Sequence, residues 1–263
     1  MPTKTEQGDL LHILYGRNGE SPLPVLACHS PTDCFEVGLE AVRIALTYCT
    51  PVVVMSELYV ANGSEPWQIP EVASIPEIDV PFADPSRDYV VYRRNPSTLA
   101  REQAIPGQAG LEHRVGGLEK DEAGEVSYDP ENHQEMTRLR AAKVARVAKS
   151  YPSSVIHGES KGDLLVLGWG GTYGAITSAV NTLQAEGFSV SSLHLRYLFP
   201  LPLDLEGIFK NFKKILIPEL NFTGHLRTLL RAEYMIDTIG FDKVQGQPFT
   251  VAEIREKVLE ILR

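Results

Sequence analysis

Short, wholly apolar runs and amphipathic stretches alternate in two separate parts of the chain. In the first part, residues 24–28 and 51–55 form short apolar runs, which are typical of buried strands. Between them, Ser30, Pro31 and Asp33 provide the signals of a helix start. Apolar residues then recur at helical spacing, at Phe35, Leu39, Val42 and Leu46. The pattern predicts a strand–helix–strand unit with a right-handed parallel crossover.

A glycine-rich turn in the second part joins an apolar run to another helical pattern. Leu164 to Leu167 is wholly apolar, and we expect Thr172 to cap the following helix and Gly187 to end it. A dinucleotide-binding GxGxxG motif that began at Gly168 would need glycine where Tyr173 stands. No Gly-Lys-Ser/Thr follows either. We therefore expect this turn to make a structural or domain contact and to bind no dinucleotide.

The rest of the second part repeats the alternation of strands and helices. Thr223 is expected to cap a helix that Gly240 ends, and Thr250 with Glu253 forms a capping box for the last helix. Further strands are expected at residues 155–156, 190–198 and 213–219. The predicted fold class is therefore α/β, with two parallel-sheet units.

A long connector rich in proline and glycine separates the two parts. Residues 68–129 are too many for a passive loop in a compact domain, so we expect them to pack over both neighbours. Tyr89 to Tyr92 is the one short strand that we expect there. A helix is predicted from Asp129 to about Ser150, and its basic second half suits the negative end of the helix dipole. A solvated linker helix is the simpler interpretation of its charges, and a phosphate or partner site is the alternative.

Composition narrows the class of protein. The chain has 263 residues, a formal charge of -9 and a pI of about 5.3, which disfavours a general nucleic-acid binder. The apolar runs are too short to cross a bilayer and no basic-then-apolar leader precedes them, so we expect a cytoplasmic protein. Cys28, Cys34 and Cys49 form neither a disulfide framework nor a cluster-binding motif.

The candidate chemistry is sparse. A loop from Ser56 to Trp67 follows the carboxyl end of a predicted strand, where ligands of open α/β sheets bind. Asn62, Glu65 and Trp67 are its candidate cofactor or interface residues, and a surface turn is the alternative interpretation. The chain contains no nucleophile elbow, no HExxH motif and no paired histidines at metal-ligand spacing. We therefore expect no catalytic residue and no metal site within the chain, and a chemistry that it shares with a partner.

Six segments carry a resemblance that covers the whole chain in order. They are PTKTEQGDL at residues 2–10, ANGSEPW at 61–67, GLEH at 110–113, GDLLVLGWGGTYG at 162–174, HLRYLFPLP at 194–202 and DKVQGQPF at 242–249. Together they resemble the alpha subunit of 2-oxoacid:ferredoxin oxidoreductases, in particular the 2-oxoglutarate (KorA-type) branch.

The resemblance implies a division of the chain and a chemistry. Residues 1–75 would be part of a thiamine-diphosphate pyrimidine-binding domain, 76–151 a connector with the basic helix, and 152–263 a transketolase-C-terminal-like domain. Thr3 matches a threonine near the substrate. The implied reaction decarboxylates a 2-oxoacid on thiamine diphosphate, transfers the acyl group to coenzyme A and passes electrons to ferredoxin. The beta subunit would supply the diphosphate-binding domain, the Mg²⁺ and the 4Fe-4S cluster.

The N-terminus departs from the family pattern. The substrate-binding arginine, the glutamate that activates the aminopyrimidine and the first strands of the pyrimidine domain are expected upstream of Pro2. The chain is accordingly expected to be N-terminally incomplete and inactive alone. Two alternatives stay open: a non-catalytic assembly or binding module of the same fold, and a free-standing nucleotide-binding α/β protein.

Overall fold

The computed structural model of the protein describes residues 6–263, so Thr3 lies outside the described residues. The described part contains eight α-helices and eight strands in two separate sheets. The helices are α1 (Leu10–Tyr15), α2 (Asp33–Tyr48), α3 (Leu58–Ala61), α4 (Pro130–Val147), α5 (Tyr173–Ala185), α6 (Leu205–Phe209), α7 (His225–Tyr234) and α8 (Val251–Leu262). The strands are β1 (Val25–Ala27), β2 (Val53–Met55), β3 (Ile156–His157), β4 (Gly162–Trp169), β5 (Val190–Leu195), β6 (Tyr197–Phe199), β7 (Phe212–Glu219) and β8 (Ile239–Asp242).

The predicted α/β class is confirmed, but each sheet is mixed rather than wholly parallel. The small sheet has the order β2-β1-β6, with β1 parallel to β2 and antiparallel to β6. The large sheet has the order β3-β5-β4-β7-β8, in which β3 alone is antiparallel. The two antiparallel strands, β3 and β6, are short edge strands. No crossover helix joins either of them to its neighbour in the sheet, so neither needs to run parallel.

The single strand predicted over residues 190–198 is wrong. It divides at Arg196 into β5 and β6, which lie in different sheets. The division occurs because the Arg196 carbonyl accepts a hydrogen bond from Ala27 N, while its guanidinium pairs with Asp33 in the first part of the chain. The second part of the chain therefore supplies the third strand of the small sheet. The division into residues 1–75, 76–151 and 152–263 stays a prediction.

The central strand β4 is buried on both faces, as its apolar run predicts. Leu164 and Val166 face the core formed with α5 and α8, whereas Leu165 and Leu167 face the core formed with α6 and α7. The second core also contains Leu10, Val25 and Ala27, so it continues into the first part of the chain.

Several local predictions need correction. Tyr89 to Tyr92 form no strand, and Val91 and Tyr92 lie in a turn. Thr172 donates its hydroxyl hydrogen to the Trp169 carbonyl instead of capping α5. Thr223 does not cap α7, which begins after Gly224 and ends at Tyr234, well before Gly240. The capping box of α8 at Thr250 and Glu253 is confirmed.

The helix predicted in the connector is confirmed as α4, but it is not simply a solvated linker. Met136, Val144 and Val147 are buried, and the helix packs against α2. Its basic side chains bind protein carbonyls, since Lys143 donates to Cys49 O and Arg146 to Pro96 O. Among residues 6–263, no helix combines the length and apolar character that crossing a membrane requires.

Candidate functional site

A cleft of about 240 Å³ lies where the carboxyl ends of β2 and β4 face each other. Residues 53–57 form one wall and residues 6–9, which we call the strap, form the other. Trp169 and Gly170 line it from the end of β4. We call this space the Glu57 cleft. Its position agrees with the general rule that ligands of open α/β sheets bind beyond the carboxyl ends of the strands.

Glu57 is the chemically unusual residue of the cleft. Both of its carboxyl oxygens are buried, and neither has a hydrogen-bond partner among the described residues. Burial raises the pKa of Glu57 to about 7, and the nearby Gly171 backbone amide opposes this rise only in part. The carboxyl group occupies the space that a side chain at Gly171 would fill. Near neutral pH this group is therefore poised to hold or release a proton.

Gln7 binds the strap into the large sheet. Its side chain is 3% exposed; Nε2 donates to Trp169 O at 2.8 Å, and Oε1 accepts from Leu220 N at 2.9 Å. Its main chain adds a bond from Gln7 N to Leu220 O at 2.8 Å and one from Asn221 Nδ2 to Gln7 O at 3.2 Å. Gly170 has a φ of +58°, and a Cβ there would lie 2.6 Å from Gln7 Nε2. Glycine at position 170 thus leaves room for the amide.

Glu219, at the end of β7, is a buried carboxylate whose hydrogen-bonding capacity is well satisfied. It is 0% exposed and accepts from Trp169 Nε1, Asn221 Nδ2, Leu226 N and Arg227 N at 2.8–3.2 Å. Two of these donors are free amides in the first turn of α7, where a negative charge is favoured. Glu219 therefore stabilises the end of β7, next to the site where Gln7 binds.

The predicted loop residues do not reach the Glu57 cleft. Glu65 instead folds onto the start of α2, where its Oε1 accepts from Ser30 Oγ at 2.6 Å and Thr32 N at 2.5 Å. These bonds lower the pKa of Glu65 to about 2. Trp67 packs on Phe35 with 5.2 Å between ring centroids and stays 48% exposed. Asn62 is exposed and donates to Leu58 O within its own turn.

A second group of polar residues joins the two parts of the chain beside a cavity of about 450 Å³. The His29 ring stacks on Tyr173 at 4.3 Å between centroids and meets His194 edge-on at 5.7 Å. Asp33 accepts from His29 N at 3.0 Å and pairs with Arg196. Burial lowers the pKa of His29, and it lowers that of His194 to about 3. These imidazoles are therefore neutral packing groups near pH 7.

Sequence analysis singled out neither Gln7, Glu57 nor Glu219. Gln7 lies within the family segment PTKTEQGDL, Glu57 lies within the candidate loop from Ser56 to Trp67, and Glu219 ends an apolar run. A carboxylate at that place is a usable signal, because strand ends gather at one edge of a parallel sheet. The sequence does not indicate that Glu219 has hydrogen-bond partners and that Glu57 has none among the described residues.

Comparison with known proteins assigns the family. Residues 1–138 match the model of the pyruvate flavodoxin/ferredoxin oxidoreductase family, described as thiamine-diphosphate-binding. The chain is 48% identical over 257 residues to the 2-oxoglutarate oxidoreductase subunit KorA of Mycobacterium tuberculosis, a match that covers 97% of this chain and 39% of that protein. It is 30% identical over 275 residues to the alpha subunit of 2-oxoacid:ferredoxin oxidoreductase 2 of Aeropyrum pernix, covering 100% of this chain and 42% of the relative.

The fold of this chain, over its whole length, matches part of a solved structure. That structure is the 2-oxoglutarate:ferredoxin oxidoreductase from Magnetococcus marinus with 2-oxoglutarate, coenzyme A and succinyl-CoA bound. The TM-score is 0.94 at 31% identity, over 100% of this chain and 46% of that one. The chain spans about two fifths of the curated relatives named above. Sequence and fold thus agree that the chain belongs to the pyruvate flavodoxin/ferredoxin oxidoreductase family, among relatives that are alpha subunits of 2-oxoacid:ferredoxin oxidoreductases.

Proposed function

We propose that this chain is part of the alpha subunit of a thiamine-diphosphate-dependent 2-oxoglutarate:ferredoxin oxidoreductase. The observation that carries the proposal is the match, at a TM-score of 0.94 over the whole chain, to an enzyme that holds 2-oxoglutarate and coenzyme A. The 48% identity to a KorA subunit supports the same substrate class. These likenesses favour an enzyme subunit over a non-catalytic assembly module.

The proposed reaction is an oxidative decarboxylation. The bond between the carboxylate and the 2-oxo carbon of 2-oxoglutarate breaks, CO₂ leaves, and a thioester forms with the coenzyme A sulfur. The thiol proton is released, and two electrons pass one at a time to ferredoxin. When bound, thiamine diphosphate would supply the carbon nucleophile and the electron sink that this chemistry requires.

The described residues do not fit the diphosphate and metal end of that cofactor. The ionisable residues that line the Glu57 cleft are Glu6, Asp9 and Glu57, all acidic, and they would repel a diphosphate. Within residues 6–263, no group of three or more His, Cys, Asp and Glu side chains is placed to hold a metal ion. We therefore assign the diphosphate, the Mg²⁺ and the 4Fe-4S cluster to the beta subunit of the same oxidoreductase.

Thr3 and the loop from Asn62 to Trp67 keep their proposed roles in substrate binding and at the interface. Thr3 is joined by a short stretch of chain to the strap, which lines the Glu57 cleft. Trp67 is a large aromatic side chain that is about half exposed, and such residues are enriched where subunits meet. Trp67 packs against α2 and does not line the Glu57 cleft, so we propose that it contacts a partner subunit.

The test is an assay of the intact oxidoreductase that contains this chain, with its partner subunits. We expect a viologen acceptor to be reduced when 2-oxoglutarate, coenzyme A, thiamine diphosphate and Mg²⁺ are all present, with stoichiometric succinyl-CoA. The 263-residue chain alone should show no turnover. Preference for another 2-oxoacid would overturn the substrate, and no turnover with any 2-oxoacid would overturn the function.

A further inference from the structure

A cavity of about 320 Å³ lies between the end of α2 and the connector. Arg93, Arg94 and Arg101 line it, together with the hydroxyl-bearing residues Thr47 and Thr98. We call this space the arginine cavity. Its volume falls at the lower end of the range that is typical of small-molecule sites, about 300–1,000 Å³.

The backbone holds two of these arginines directly opposite each other. Arg94 and Arg101 pair across an isolated antiparallel bridge, and their neighbours Asn95 and Ala100 share a hydrogen bond of 2.8 Å. Arg146 of α4 holds the turn between them, because its guanidinium donates to two of the carbonyls in that turn. Side chains that lie opposite each other in an antiparallel pair share one face, and like charges there repel. The fold therefore keeps two mutually repelling guanidinium groups at one place.

Neither guanidinium of this bridge is neutralised by an acid. Among residues 6–263, no carboxylate forms an ion pair with Arg94 or Arg101. Asp79 and Glu102 line the same cavity, but Asp79 is exposed to solvent and Glu102 pairs with Arg87. Arg94 and Arg101 are both partly buried, and a partly buried charge without a counter-ion is unfavourable unless an anion binds to it.

The neighbouring side chains add to the positive potential of the site. Burial lowers the pKa of Arg94, and Arg140 lowers it further. Glu122 and Glu135 oppose this shift only in part. Burial also lowers the pKa of Lys143 in α4, and the two arginines of the bridge add to that shift. Positive charge is therefore concentrated here in a chain whose net charge is -9.

We propose that the arginine cavity binds the phosphate group of a small ligand between Arg94 and Arg101. A phosphate group carries about two negative charges near pH 7 and has three acceptor oxygens, which match two forked guanidinium groups. A carboxylate carries one charge, which a single guanidinium balances. Thr98 Oγ1 accepts from Ala100 N, so its own hydrogen can donate to a further phosphate oxygen. Inorganic phosphate and a phosphate ester share this chemistry.

Hydrogen exchange of the intact oxidoreductase, titrated with inorganic phosphate, tests the site whichever substrate the enzyme oxidises. We expect phosphate to slow the exchange of the amides of residues 94–101, whereas chloride at the same ionic strength should not. Arg101→Met should raise the phosphate concentration that gives half of this protection by about tenfold or more, because one charge-assisted contact is lost. Arg101→Lys, which keeps the charge but not the fork, should show a smaller loss.

Arg101→Met should fold as the wild type does. The Arg101 side chain makes no hydrogen bond among the described residues and lies over the Tyr92 ring, with 5.8 Å from Cζ to the ring centroid. Its removal also relieves the repulsion of Arg94. In phosphate-free buffer, exchange of residues 94–101 should therefore be no faster in the variant than in the wild type.

Arg138→Met is the matched control, because it removes the same charge from an exposed arginine of α4 that pairs with Glu135 and does not line the cavity. Phosphate should protect it as it protects the wild type. Adenosine monophosphate is the second probe: protection at a lower concentration than inorganic phosphate would identify a phosphate ester as the ligand, and the reverse order would identify free phosphate. No protection of the wild type, equal protection by chloride, or equal weakening in Arg101→Met and Arg138→Met would overturn the proposal.

Discussion

At the scale of single residues, two buried carboxyl groups at the ends of strands differ in their hydrogen-bond partners. Glu219 is fully buried and accepts four hydrogen bonds, two of them from the first turn of α7. Glu57 is buried at its oxygens without a partner among the described residues, so burial acts on it with little compensation. A buried carboxyl group without partners is favoured in its neutral form.

Glu57→Gln should change how stability depends on pH. The folded-state pKa of Glu57 is raised from 4.5 to about 7, so the folded protein binds more protons between those values and loses stability as the pH rises through that range. The substitution removes this loss. We expect urea unfolding to show that the stability of the variant relative to the wild type is about 3 kcal/mol greater at pH 8 than at pH 4.5. An identical pH dependence of the two proteins would contradict the raised pKa.

At the scale of elements, α2 shows that a helix start can be completed from a distance. The sequence places Ser30, Pro31 and Asp33 at its beginning, but the free amide of Thr32 is bound by Glu65 from the loop after α3. Trp67 follows in the same loop and packs on Phe35 of the first turn. The loop therefore acts as an external cap for α2.

Glu65→Ala should destabilise the start of α2 and release Trp67. The pKa of Glu65 is lowered to about 2, so its contribution is present above the ordinary value of 4.5 and is lost as the pH falls towards 2. We expect lower stability at pH 7 and a red shift of Trp67 emission, with the difference from the wild type narrowing below pH 4. Glu20→Ala is the control, because Glu20 is exposed and makes no side-chain hydrogen bond among the described residues. Unchanged emission from Glu65→Ala would show that the cap does not hold the loop.

At the scale of the whole molecule, a few long-range contacts join the two parts of the chain. The strand β6 crosses into the small sheet, the strap crosses into the large one, and the Asp33–Arg196 pair lies between the two sheets. Asp33 is 4% exposed at its side chain, whereas Arg196 is 34% exposed. The apolar core that contains Leu10 and Val25 continues beneath these contacts into β4 and β5.

Arg196→Met should loosen the junction of the two sheets. It leaves the buried Asp33 carboxylate with only the hydrogen bond from His29 N, and such an uncompensated buried charge costs up to about 3 kcal/mol. The loss should appear in urea unfolding together with faster hydrogen exchange in β1 and β6. Arg255→Met, which removes an exposed pair with Glu186, should cost far less. Equal effects of the two substitutions would show that the Asp33 pair does not hold the junction.

Local signals along the chain were sufficient for much of the fold. The apolar runs of β1, β2 and β4, the helical spacing in α2 and α5 and the capping box of α8 each depend on residues a few positions apart. Unlike β1 and β4, β2 is not buried, since Val54 is 40% exposed. Such patterns place the elements along the chain. The buried face predicted for α2 is wrong, however, because Val42 is 48% exposed whereas Val37, Ile44 and Tyr48 are buried. The six family motifs also identified the class of enzyme subunit to which the comparisons point.

Only the tertiary structure decided how the parts meet. Gln7 and Trp169 are 162 positions apart, and nothing in either neighbourhood specifies their hydrogen bond. The division of residues 190–198 into two strands depends on Ala27 and Asp33, which no local pattern connects to Arg196. The raised pKa of Glu57 and the lowered pKa of Glu65 follow from burial and from donors that folding brings near. Periodicity within an element therefore determined strands and helices, whereas the cleft and its charges arose from contacts between distant segments.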